Sequence, residues 1–119
     1  MWYSSIKVGI TEIDMEHSNI DTMLQLYFSG RIPETYLEQI IGSLIKHFQH
    51  EEEVIAALGH DFPVDHQREH LRLTRQLELM LTDWKAGHLT GKKLAEDVRA
   101  ALLLHVTEFD IALNPHHPE

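Results

Sequence analysis

"HFQHEEEVIAAL", residues 47–58, sets two histidines and three glutamates inside a run that otherwise reads as an amphipathic helix. At 100° per residue, with His47 at zero, Ile40 and Leu58 fall near 20°, Leu44 near 60°, Leu37 and Ile55 near 80° and Phe48 near 100°. The apolar stripe is therefore centred at about 60°, with Glu51 inside it at about 40° and His47 on its edge. His50 falls at about −60°, and Glu52 and Glu53 at about 140° and 240°, on the side that faces water. A histidine and a glutamate one turn apart thus face a core together.

The same pattern continues outward along the chain. Gly and Pro residues gather in "SGRIP" (29–33), "GHDFP" (59–63) and "KAGHLTG" (85–91), and long segments with few breakers run between them. This punctuation predicts helices near 12–28, 34–57, 64–86 and 91–112. Thr11 and Asp14 suit a capping box, Pro33 a first turn, and Gly59 and Gly87 C-terminal caps. Four such segments on short loops predict an all-α, up-down-up-down antiparallel four-helix bundle. A length of 119 residues predicts a single domain, with an arm at 1–11 and a tail at 113–119.

Every helix turns a histidine inward. His66 and His70 share the stripe of Leu73, Leu77, Leu81 and Trp84. His17 shares a face with Ile10, Asp21, Leu24 and Phe28, and His105 with Leu94, Val98, Ala101, Leu102 and Phe109. A single inward histidine is ordinarily a core residue satisfied by one hydrogen bond. Five together with a carboxylate are different, because each polar group buried without a partner costs about 1–3 kcal/mol. Such a set would consume most of the roughly 5–15 kcal/mol by which a domain is stable. The i, i+4 pairs His47/Glu51 and His66/His70 offer two donors on one face, as binding of one ion requires. His50, His60, His88, His116 and His117 read as surface or loop histidines, and Trp84, Tyr27, Phe28 and the methionines as packing.

Composition excludes other chemistries. The chain carries 10 Lys+Arg against 19 Asp+Glu, a formal charge of −9, which argues against nucleic acid or an anionic membrane surface as partner. It has no cysteine, so disulfides, thiolate nucleophiles and iron–sulfur clusters are excluded. "MWYSSIKVGI" lacks the basic segment and apolar run of a signal peptide, and no apolar run approaches the roughly 20 residues that span a bilayer. A cytoplasmic protein without a membrane anchor is expected.

With Trp2, "VGITEIDMEH" ending in His17, "HFQHEE" as HxxxE, "HQREH" as HxxxH and "HVTEFD" as HxxxxD, the chain resembles the hemerythrin family over its whole length. The resemblance implies a non-haem di-iron centre with an oxo or hydroxo bridge. One iron would be held by His66, His70 and His105 and the other by His17 and His47, with Glu51 and Asp110 bridging. Geometry alone would choose Glu108, about 60° from His105, over Asp110 at about 140°; the family pattern selects Asp110. These donors make about eleven bonds where two octahedral irons take about twelve, leaving one position open on the two-histidine side.

The resemblance further implies reversible O₂ binding, for carriage, storage or local supply, rather than catalysis, with small anions such as azide as alternative ligands. Five neutral imidazoles stabilise high-valent iron less than a carboxylate-rich donor set does. Leu102, Leu24, Phe28 and Phe48 are the candidate lining of an apolar O₂ pocket, and Asp14 a candidate to orient His17. Where the family often has Trp, this chain has Ala101, which implies a roomier pocket. A redox enzyme on the same site (peroxidase, oxidase or nitric oxide handling) and an O₂ or iron sensor module are the competing readings. Zinc is accepted by the same ligands.

Overall fold

A computed structural model describes residues 10–109. Four helices follow one another: α1 (Thr11–Phe28), α2 (Tyr36–Ala57), α3 (Val64–Lys85) and α4 (Gly91–Glu108). Each packs on its chain neighbours, and α1 also packs on α4, which closes the four-helix bundle predicted from the punctuation. Ile13, Leu24, Leu44, Leu77, Leu94 and Leu102 are fully buried along its axis. All but Ile13 are positions that the 3.6-residue period turned inward. Among the described residues, no helix is long and apolar enough to cross a membrane.

Helix ends follow local chemistry. Gly59 and Gly87 take φ values of 85° and 81°, a region that costs a side chain dearly but glycine little. In both, the next residue bonds back across the turn: His60 N–H to the Ile55 carbonyl at 3.2 Å and His88 N–H to the Asp83 carbonyl at 2.8 Å. This is the capping arrangement expected of a glycine just past a helix.

Two starts differ from the expectation. Thr11 is the first residue of α1, and Ile10 stands at the cap without a side-chain bond, so no Thr11–Asp14 capping box forms. The side-chain cap that does form is at α4, where Thr90 Oγ1 accepts from the Lys93 N–H at 3.1 Å. α2 begins at Tyr36 rather than 34, because the chain after Pro33 first makes tighter turns, Tyr36 N–H to the Pro33 carbonyl and Leu37 N–H to the Glu34 carbonyl. Residues 110–112, predicted to end the last helix, lie outside the described residues.

Candidate metal centre

Antiparallel order determines what meets what. The first half of α1, the last half of α2, the first half of α3 and the end of α4 all lie at one end of the bundle. His17, His47, Glu51, His66, His70 and His105 come from those segments, and none exposes more than 3% of its surface.

Glu51 sits between two unequal groups. Its Oε1 is 3.0 Å from His66 Nε2, 3.2 Å from His70 Nε2 and 4.0 Å from His105 Nε2. Its Oε2 is 3.1 Å from His47 Nε2 and 4.0 Å from His17 Nε2. Within the groups, His66 and His70 Nε2 each lie 3.2 Å from His105 Nε2, and His17 and His47 Nε2 are 3.0 Å apart. Within each group the donor atoms all lie inside 4.8 Å of one another. One carboxylate thus offers one oxygen to three imidazoles and the other to two.

The backs of two rings test whether a cation belongs there. His47 Nδ1 is 3.0 Å from Glu16 Oε1, and His70 Nδ1 is 2.9 Å from Glu52 Oε2. Burial raises the Glu16 carboxyl, but hydrogen bonds from His47 and His50 outweigh it and hold Glu16 below the usual carboxylate range. A carboxylate accepts only, so the imidazole Nδ1 must donate. In a neutral ring the inward Nε2 is then a lone pair, and it faces an oxygen of Glu51 at 3.1 or 3.2 Å. Two acceptors at that separation repel unless a positive charge lies between them. Protonating all five rings would set five positive charges against three carboxylates, of which only Glu51 is fully buried, whereas a metal ion satisfies both sides, so the donor set fits a metal. Imidazoles held from behind by carboxylates are the usual way such ligands are oriented.

Aromatic rings surround the three-histidine group. Phe48 stacks on His70 at 4.7 Å and meets His105 edge-on at 5.3 Å. Phe62 lies 4.6 Å from His66, and Phe109 stacks on His105 at 5.6 Å. Of the expected pocket residues, Phe48 is therefore beside the cluster. Leu102 is buried one turn before His105, and Leu24 is buried two turns along α1 from His17. Phe28 is a correction. It stands eleven residues from His17, about three turns up the helix, and is 38% exposed at the far end of the bundle. It shares the azimuth of His17 but not its height.

Other expected positions resolve as follows. Asp14 is half-buried one turn before His17. Glu108, the alternative chosen by spacing, is exposed and lines a cleft between α3 and α4. Asp110, Trp2, His116 and His117 lie outside the described residues. His60 and His88 are exposed, and His50 is half-buried, its Nδ1 2.8 Å from Glu16 Oε1. Glu52, assigned to the solvated face, is a second correction, since its side chain reaches back to His70. Glu16 and Phe62 escaped the sequence reading altogether. A carboxylate on one helix that serves a ring on another leaves no spacing signature.

The fold and the cluster define a four-helix bundle with a buried histidine–carboxylate metal site. Two curated relatives are similar to the chain, both named bacteriohemerythrin. The one from Stenotrophomonas maltophilia (strain R551-3) is 25% identical over 86% of this chain and 83% of its own length. The one from Pseudomonas paraeruginosa (strain DSM 24068 / PA7) is 22% identical over 92% of this chain and 76% of its own. These relatives support a hemerythrin-like family for the chain. No family model matches it, and no solved structure matches it significantly.

Proposed function

We propose that this protein binds O₂ reversibly at a pair of iron ions, one held by His66, His70 and His105 and the other by His17 and His47. Glu51 would serve both ions, and Asp110, by the family pattern, would be the other shared carboxylate. The observation that carries this reading is the three-to-two division of histidines about the two oxygens of Glu51. With fewer histidines, the His17/His47 side would be the one able to accept a small molecule as a further ligand. When bound, the iron pair supplies a reversible change of oxidation state and that open position.

The chain's own residues do the rest. Glu16 and Glu52 hold the rings of His47 and His70 with Nε2 inward. Phe48, Leu24 and Leu102 exclude water from the interior around the cluster. Neutral imidazoles outnumber carboxylates in the donor set, which favours binding over cleavage of the O–O bond and so favours a carrier over a redox enzyme.

The test is optical. Ferrous protein prepared without air should develop a charge-transfer band on exposure to O₂ and lose it under vacuum, with about two irons per chain by metal assay. Irreversible conversion to a ferric spectrum on first contact with air would transfer the assignment to redox turnover. Fewer than about two irons per chain in iron-supplied protein would remove the di-iron reading itself.

A further inference from the structure

A cleft of about 600 Å³ opens between α3 and α4, and His105 forms part of its lining. No side chain that the O₂-binding reading uses to exclude water lies in it. On this side α4 contributes two alanines to the lining, Ala100 and the half-buried Ala101 one turn before His105, and the exposed Leu104 beside them. His105 is one of the three histidines gathered on Glu51 Oε1; its side chain is closed to solvent at the floor of the cleft, so only that ring separates the cleft from the three-histidine half. The expected small-molecule position is on the opposite, two-histidine half.

Charge gives the cleft a preference. Its lining holds three carboxylates, Glu69, Asp97 and Glu108, against one guanidinium, Arg72. Arg72 is committed to Glu69 and to Gln76 Oε1 at 3.1 Å. Lys93, outside the lining, grips Asp97 at 3.0 Å. An acidic surplus remains at Glu108, on a chain whose formal charge is −9. Field of that sign repels anions and tolerates neutral or cationic solutes.

We infer that the α3/α4 cleft is a second port onto the metal centre, which admits small neutral or cationic organic molecules to the three-histidine half and discriminates against anions. It rests on the metal-site reading above but not on oxygen as the ligand. Ala101 sets the width of the port, and Leu104 partly covers it.

The test uses protein loaded with Co(II), whose visible spectrum reports occupancy, and times metal loss to two chelators: neutral, planar 1,10-phenanthroline and anionic EDTA. Ala101→Phe and the milder Ala101→Leu narrow the port and should slow loss to phenanthroline about five-fold or more. Leu104→Ala, at an exposed position that tolerates truncation, should speed it. Ser43→Phe, in a small groove between α1 and α2 remote from the cleft, should change nothing. For the wild type, loss to EDTA at equal concentration should be slower than to phenanthroline, and the gap should shrink in high salt. Rates unchanged in both Ala101→Leu and Leu104→Ala, or equal slowing by Ser43→Phe, would overturn the port. Wild-type protein that takes up no Co(II) would instead sink the metal-site reading, so the two failures are distinct.

Discussion

His47 and His70 are each gripped from behind by a glutamate that is not itself in the metal cluster. Glu52 follows Glu51 directly, and a helical wheel places it about 100° further round. Its side chain is long enough to return to the Nδ1 of His70, so direction at Cβ misjudged where the carboxylate ends. Glu16 reaches His47 from α1, a contact that no single-helix pattern contains. The inward histidines were legible because burying imidazoles is costly enough to demand a common cause; their supports were not, since an exposed-looking glutamate costs nothing to explain. Asp110, outside the described residues, enters the proposed ligand set by family pattern alone. Substitution separates these roles. On the proposed di-iron reading, His66→Ala should lower bound iron from about two per chain towards one. Glu52→Gln should keep both sites but weaken metal affinity by about 10–100-fold, because a neutral amide supports the ring less. Glu53→Gln, on an exposed neighbour, should alter neither. Metal titration followed spectroscopically ranks the three, and equal effects of Glu52→Gln and Glu53→Gln would remove the orienting role of Glu52.

At the scale of the helix, period and punctuation were the readable parts. Glycines at 59 and 87 ended α2 and α3 where expected, since few other residues accept those backbone angles. Height along an axis was harder, as Phe28 shows: azimuth assigns a face, while only the packed bundle assigns a level. A second feature of α1 belongs to this scale. Asp21, one turn beyond His17, is fully buried, and Arg99 of α4 lies 3.5 Å from its Oδ1 with a side chain 31% exposed. The pair ties α1 to α4 across the seam that closes the bundle. Removing one partner of a buried pair leaves an uncompensated charge, which typically costs about 3–5 kcal/mol. Arg99→Ala should fall near the lower end, about 3 kcal/mol, because its guanidinium keeps some contact with water. The double change Asp21→Leu, Arg99→Met removes both charges and should be close to neutral. Chemical denaturation of the three proteins decides it, and a loss in the double variant as large as in Arg99→Ala would show that the pair is not the tie.

Across the whole molecule, the bundle has two unlike ends. At one, Leu37, Leu94 and their neighbours pack as an ordinary apolar core, and Lys85 reaches Glu38 at 2.9 Å on the surface. At the other, five imidazoles and a carboxylate occupy the space that leucines would otherwise fill. An apolar end holds itself together, whereas a polar end needs its ion, so metal binding and folding must be coupled. Metal present at 1,000 times its Kd adds about 4 kcal/mol to stability. For a domain of this size that corresponds to a Tm roughly 15 °C higher than that of metal-free protein. The loss on chelation should also be local. Amide exchange should quicken around residues 13–20, 44–52, 64–73 and 102–106, where α1 to α4 surround the cluster, and change little near Leu37, Leu81 and Leu94 at the other end. Calorimetry with and without a chelator measures the first effect and hydrogen exchange the second. A metal-free protein as stable as the loaded one, with uniform exchange, would mean that the histidines satisfy one another through their own hydrogen bonds, and the polar end would then be a core like any other.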